Sequence, residues 1–160
     1  MTITHASPAD LAALCAVEAA CFPPAEAADE HTLRERLAVF PDHFWLLWEH
    51  GRLLSFVNGM ATDEPDLRDQ MYTDAALHRP DGRWQMIFGV DTIPARRREG
   101  LAGRLLRRVI EDTRAHGRRG LVLTCKQALT PYYAGFGFVN EGVSGSAHGG
   151  AVWYAMRLTL

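Results

Sequence analysis

Short apolar runs alternate along the chain with stretches whose apolar residues recur every three or four positions, and the two patterns mark strands and helices in turn. Thr2–His5 is a short candidate strand. Leu11, Leu14, Cys15, Glu18 and Cys21 fall on one face, so Pro8 to about Cys21 reads as a helix. Pro8 suits its first position and Ser7 its cap. Phe22-Pro23-Pro24-Ala25 ends it, because proline has no amide to donate. A second helix is predicted over Asp29–Val39, with Leu33 and Leu37 on one side. Phe44–Trp48 and Leu53–Met60 read as strands joined by the turn Glu49-His50-Gly51-Arg52. Thr62–Leu77 is polar and shows no dominant period. Arg79-Pro80-Asp81-Gly82-Arg83 is a turn, and Trp84–Thr92 follows as one long strand. A helix from Leu101 to His116 carries the buried stripe Leu101, Leu105, Leu106, Val109 and Ile110. Gly117 and Gly120 then lead into Leu121–Cys125, whose unbroken apolar character fits an interior strand. A short helix around Leu129–Gly135 and two closing strands, Phe138–Gly142 and Val152–Leu158, complete the chain.

The order is β-α-α-β-β-β-α-β-α-β-β, an α/β or α+β sandwich with a mixed sheet in one domain over residues 1–160. The unit from Trp84 to Cys125 must be a right-handed parallel crossover. A length of 160 residues suffices for one real core. A net charge of -2 gives no chain-wide attraction to polyanions. No apolar run approaches the roughly 20 residues that span a bilayer. Met1-Thr-Ile-Thr-His5 lacks the charged-then-apolar order of a secretory signal. Cys15, Cys21 and Cys125 have no metal-ligand spacing, and an odd number leaves at least one unpaired. Reduced thiols in a cytoplasmic protein are the expectation.

Candidate chemistry concentrates in Ile87–Gly103. An apolar strand runs there into a basic, glycine-containing turn that opens directly into a helix. Backbone N–H groups and a positive helix end converge on one point, which can hold an anion such as a pyrophosphate. The string has neither the Gly-x-x-x-x-Gly-Lys-Ser/Thr of a nucleoside triphosphatase loop nor the Gly-x-Gly-x-x-Gly of a dinucleotide fold. It has Arg97-x-x-Gly100-x-Ala102, which equally suits a solvated charged turn. Arg96, Arg97, Arg98, Arg104, Arg107, Arg108, Arg114, Arg118 and Arg119 are crowded together. A nucleic-acid patch is one reading of them. However, Arg107–Glu111 and Arg108–Asp112 are i, i+4 pairs, and no aromatics interleave the basic run as stacking on single strands requires. The expectation is a surface for phosphates, with no nucleic-acid partner and no membrane partner.

The turn resembles the acetyl-CoA pyrophosphate loop, Gln/Arg-x-x-Gly-x-Gly/Ala, of the GNAT N-acetyltransferase superfamily. The resemblance implies a mixed, mostly antiparallel sheet of six to seven strands flanked by about four helices. It further implies that Arg97, Arg98, Glu99, Gly100, Leu101, Ala102 and Gly103 wrap the pyrophosphate through their amides. Val90, Asp91 and Thr92 would lend backbone groups to the pantetheine and thioester. Leu129-Thr-Pro-Tyr-Tyr-Ala-Gly-Phe-Gly-Phe138 is similar to a second family segment, whose tyrosine protonates the departing thiolate; Tyr133 holds that place. A thiolate leaves more easily when protonated as its bond breaks. A half-buried packing aromatic is the other reading of Tyr133.

Cys21-Phe22-Pro23, Glu49–Phe56, Leu77–Arg83 and Leu123–Phe138 resemble the arylalkylamine branch, so the similarity runs from about Cys21 to Gly142. In the vertebrate enzymes of that branch two histidines relay the amine proton. Met86 and Phe88 stand at those positions and carry no proton. Glu26, His78, Glu141 and His148 are the remaining candidates, each with an ordinary structural alternative. The loop holding Phe22, Pro23 and Glu26 would close over the acceptor, its aromatic wall and carboxylate suiting a cationic amine. A covalent role for Cys125 is a minor alternative to burial. The reading is acetyl transfer from acetyl-CoA, without metal, to a small primary amine, by a monomer or homodimer. A protein or peptide amine as acceptor, and a non-catalytic acyl-CoA-binding module, are the alternatives.

Overall fold

A computed structural model describes residues 1–160. Its strands are β1 Thr2–Thr4, β2 Phe44–Glu49, β3 Arg52–Asn58, β4 Ala61–Thr62, β5 Trp84–Ile87, β6 Gly89–Thr92, β7 Gly120–Cys125, β8 Val139–Val143 and β9 Tyr154–Thr159. Its helices are α1 Leu11–Cys21, α2 Glu30–Val39, α3 Asp69–Thr73, α4 Leu101–Ala115 and α5 Thr130–Ala134. The polar stretch without a period contains β4 and the single turn α3. At the first helix, Pro8–Asp10 forms a 3-10 turn ahead of α1, and the expected cap is reversed: Asp10 Oδ2 accepts from the Ser7 amide at 2.9 Å. Asp29 caps α2 as its residue type favours, its carboxylate accepting from Thr32 N at 2.8 Å. No helix is long and apolar enough to cross a membrane.

The single strand expected over Trp84–Thr92 is two strands, and this correction organises the molecule. β5 and β6 part at Phe88 and enter different sheets, one ordered β1-β2-β3-β6 and the other β4-β5-β7-β9-β8. β3 and β4 part opposite them at Gly59 and Met60. Followed through both breaks, the order is one sheet of seven, β1-β2-β3/β4-β6/β5-β7-β9-β8. Only β5 and β7 run parallel, joined by α4; every other pair is antiparallel. The physical reason for the break is local. Met86 N donates to Met60 O and Phe88 N to Asn58 O, both at 2.7 Å. These bonds draw the two bends so close that a Cβ on Gly59 would overlap the Met86 carbonyl.

Six of the seven β3 residues are buried, with α1 and α4 both packed against the strand. Leu14 and Val17 of α1, Leu33 and Leu37 of α2, and Leu105, Leu106 and Val109 of α4 join one core with Phe44, Phe56 and Leu123. The stripe read from the sequence on α4 is the face that the sheet covers. The expected Arg107–Glu111 pair does not form. Arg107 instead lies over the Phe136 ring, 5.6 Å from its centroid, while Arg108 and Asp112 do pair at 3.3 Å.

Gly59→Ala is expected to lower the free energy of unfolding by about 2 kcal/mol or more, since the methyl must push two backbones apart. A urea midpoint equal to that of the unaltered chain would mean that the close approach at the bend is not needed.

Candidate active site

Beyond Ile87, which pairs with Leu123, β6 leaves with β3 while β7 continues beside β9. A cleft opens between them. Its geometry follows from the ladder. Ile93 N donates to Leu54 O, and the register pairs Val57 with Val90. Bonded and non-bonded pairs alternate in an antiparallel ladder. The Val90 N–H therefore turns away from β3, towards the cleft.

At one end of the cleft lies the loop into α4. Arg98 (φ 64°) and Gly100 (φ 78°) both take the left-handed region, which is easy for glycine and uncommon for arginine. The first helical bond runs from Arg104 N to Gly100 O. The amides from Arg98 through Gly103 therefore donate to no protein acceptor. They ring the positive end of a fifteen-residue helix. A groove of about 490 Å³ is lined here by Thr92, Arg97, Arg98, Gly100, Leu101, Ala102 and Tyr132. Free amides and an open left-handed glycine fit a bound diphosphate. The Asp91, Glu99 and Gly103 side positions face elsewhere. Asp91 is fully buried beneath the strand, Glu99 pairs with Arg96 at 2.8 Å, and Gly103 faces the Phe136 ring.

At the other end is a chamber of about 240 Å³. Phe22, Pro23 and Glu26, predicted from the loop after α1, all line it. So do Phe88, Tyr72, Lys126, His148 and Trp153. Groove and chamber share Cys21, Phe22, Val90, Leu129 and Tyr133 as walls. Tyr133 thus stands where the two meet. Pro131 lies in the first turn of the short helix α5 that carries Tyr133, and the Tyr133 ring packs edge-on against Tyr132 and Phe138. Burial pushes the phenol far above its ordinary range, and no hydrogen bond to the protein offsets that. It stays protonated at neutral pH.

The four candidate proton acceptors separate. Glu26 and His148 reach the chamber: Glu26 pairs with Lys126 at 3.0 Å, and its carbonyl lies 2.9 Å from His148 Nε2. His78 does not. Its Nδ1 accepts from Ala61 N at 3.1 Å, its ring packs on Phe40 and His43, and burial lowers its pKa to about 4. Glu141 does not either, since it pairs with Arg157 at 3.0 Å on the outer strands. Met86 is fully buried in the core. Phe88 walls the chamber, with the Arg36 guanidinium 4.5 Å from its ring centroid.

Several site residues escaped the sequence reading. Tyr72, from the segment without a period, stacks on His148 at 4.7 Å and shares a hydrogen bond of 3.1 Å with Thr124. Trp153 donates to the His148 carbonyl at 2.7 Å. Glu18, read only as part of a helix face, is buried and lines the chamber. Its odd polarity on an otherwise apolar stripe was the available signal. No three His, Cys, Asp or Glu side chains converge as a metal site.

Over residues 11–138 the chain matches the Acetyltransferase (GNAT) family. It belongs to the GNAT acetyltransferases. Among curated proteins, this GNAT chain is similar to the serotonin N-acetyltransferase of Mesocricetus auratus, 29% identical over 129 residues. The match covers 80% of this chain and 61% of that protein, so the chain spans about three fifths of its relative's length. The GNAT fold is shared with the loading GNATL domain of CurA from Lyngbya majuscula (TM-score 0.85, 15% identity, 99% of this chain and 96% of that one). It is shared also with the GphF GNAT-like decarboxylase in complex with isobutyryl-CoA (0.81, 21%, 99% and 99%). A third such structure is a GNAT family acetyltransferase from Brucella melitensis in complex with acetyl-CoA (0.62, 20%, 99% and 87%).

Cys125 is buried, and Cys15 and Cys21 are half-buried. Burial raises Cys125 from 9.0 to about 11, and burial also raises Cys15 and Cys21. At pH 8 a thiol so shifted holds about a hundredth of its ordinary thiolate. Alkylation of Cys125 by iodoacetamide should therefore run about 10²-fold slower in the folded chain than in urea, followed by mass spectrometry. Equal rates would return Cys125 as a nucleophile.

Proposed function

We propose that this chain transfers the acetyl group of acetyl-CoA to a small primary amine, by direct attack within a ternary complex. The observation that carries the reading is the placement of Tyr133 between the free-amide groove and the aromatic chamber. Arg97, Arg98, Glu99, Gly100, Leu101, Ala102 and Gly103 hold the pyrophosphate, chiefly through amides. Val90 and Thr92 present backbone groups to the pantetheine, whereas the Asp91 groups, expected to join them, face β3, where the carbonyl accepts from the Ser55 hydroxyl; the Val90 N–H, free of the ladder, polarises the thioester carbonyl. Tyr133, neutral and unpaired, protonates the sulfur as the C–S bond breaks.

The chamber supports an arylalkylamine-like acceptor. Phe22, Phe88, Tyr72 and Trp153 give it aromatic walls, and Glu26 gives it a carboxylate. Similarity to a serotonin N-acetyltransferase points the same way. Its volume of about 240 Å³ and its roof, tied by Glu26 to Lys126 and His148, favour a small molecule over a peptide.

A thiol-release screen over arylalkylamines, polyamines, amino acids, aminoglycosides and peptide amines tests this. Turnover is expected with arylalkylamines. Turnover with peptides alone would make the acceptor a protein amine. Acetyl-CoA raising the melting temperature while no amine releases thiol would make the chain a binding module. Tyr133→Phe should reduce turnover about 10²-fold while acetyl-CoA affinity, measured by calorimetry, stays largely intact. Unchanged turnover would take Tyr133 out of the chemistry.

A further inference from the structure

The chamber has a second wall of unused chemistry behind Gly89. A Cβ on Gly89 would lie 3.0 Å from Asp91 Oδ1, 3.5 Å from Asn58 Nδ2 and 3.9 Å from Glu18 Oε1. Gly89 itself lines the chamber with Glu18, so its missing side chain leaves an opening towards the Glu18 carboxyl, with Asp91 closed off behind it. Glu18 comes from α1 and Asp91 from β6, elements packed on each other. Asp91 is completely buried, and neither of its oxygens has a donor in reach. The Glu18 carboxyl is the other acid beside Gly89, and with burial it raises Asp91. Two adjacent buried carboxyls do not both ionise, so one proton held between them satisfies both.

The surrounding charges agree. Arg36, from α2, is buried with its Nη1 on Asn58 Oδ1 and its Nη2 on Tyr72 O, both at 2.8 Å. Burial lowers its pKa to about 10, which leaves it charged. One positive guanidinium balances one negative carboxylate, and the second carboxyl stays neutral. Burial and the adjacent Glu18 raise Asp91 well above the carboxylate range, with Cys21 adding to the effect and Arg36 opposing it. Glu18 Oε2 accepts from Ala28 N at 2.9 Å, which leaves Oε1 on the side of the opening.

We propose that Glu18 is the base that takes the proton of the acceptor amine through the opening at Gly89, held in place by a proton shared with Asp91. The assignment rests on the acetyltransferase reading above. An ammonium entering the chamber gives one proton to Glu18, which passes it to solvent. The neutral amine then forms the C–N bond as the C–S bond breaks. The second proton leaves nitrogen and ends on sulfur by way of Tyr133. Glu18 touches the substrate, whereas Asp91 acts through Glu18 and is a positioning residue.

The test compares the best acceptor of the thiol-release screen with its β,β-difluoro analogue. The analogue has nearly the same shape but is far less basic, so it arrives mostly neutral. Glu18→Gln keeps the acceptor for Ala28 N and should lower kcat about 10²-fold for the basic amine but only a few-fold for the analogue. Equal losses for both amines would overturn the base. If Glu18→Gln fails to fold, Gly89→Ala closes the opening and should show the same contrast between amines; equal losses there overturn it as well. Infrared spectroscopy of the unaltered chain at neutral pH should show a protonated-carboxyl band that Asp91→Asn removes. Absence of that band, or its survival in Asp91→Asn, would overturn the shared proton. An unaltered chain that acetylates no amine would overturn the reading of the site and the base together. Full activity in Glu18→Gln would overturn the base alone.

Discussion

The parting of β5 from β6 at Phe88 is the constraint on which the other features depend. A sheet strand normally satisfies its backbone on both sides. Here β6 keeps β3 on one side and has no strand on the other. Its outward groups remain available at Val90, and the carbonyl of Thr92 takes the Cys21 thiol at 3.2 Å and Arg97 Nε at 3.2 Å. Without that parting, β7 would close against β6, and neither groove nor chamber would exist. The close approach at Gly59 holds the bend from behind, and α4 holds it in front by connecting the parallel pair across the opening.

Opening a sheet at its centre admits water and charge where a core would otherwise continue. The polar groups behind the opening are arranged to limit that cost. Arg36 donates to Asn58 Oδ1 and to the Tyr72 carbonyl, and Phe88 covers the guanidinium. An unpaired buried charge would cost several kcal/mol. The Arg36 Nη groups offset part of that cost through their two hydrogen bonds, while Nε has no partner. The same cluster therefore stabilises the divided sheet and sets the electrostatics of the chamber.

The strands, the α4 stripe and the two motif strings were legible because each rests on local pattern. A period of 3.6 positions marks α4, and Arg97-x-x-Gly100-x-Ala102 and Pro131-Tyr132-Tyr133 lie on contiguous residues. The break at Phe88 was not legible. Trp84–Thr92 has no proline and no polar residue between Met86 and Val90, and only the competing pairing of its halves with β7 and β3 divides it. Tyr72 was hidden for a similar reason: its segment has no period, and it is placed by contacts with His148 and Thr124 more than fifty positions away. Glu18 and Asp91 were in plain view as residues. Their meeting depends on α1 lying across β6, which no spacing along the chain encodes.

That meeting bears on the missing histidine pair. Met86 points into the core and Phe88 into the chamber, so neither position that resembles the histidine pair offers a proton acceptor here. A proton acceptor must then approach from another element. The loop residues Glu26 and His148 are engaged with Lys126 and with each other across the roof. The Glu26 carboxylate is already engaged by Lys126 at 3.0 Å. Glu18 Oε1 accepts from no protein donor, and Glu18 has an opening at Gly89 and a helix to fix its position. Phe88, by lying over Arg36, keeps the guanidinium paired with Asn58 and Tyr72 and out of the chamber. Phe88, at one of the histidine positions, and the acid pair on α1 and β6 thus border the same opening.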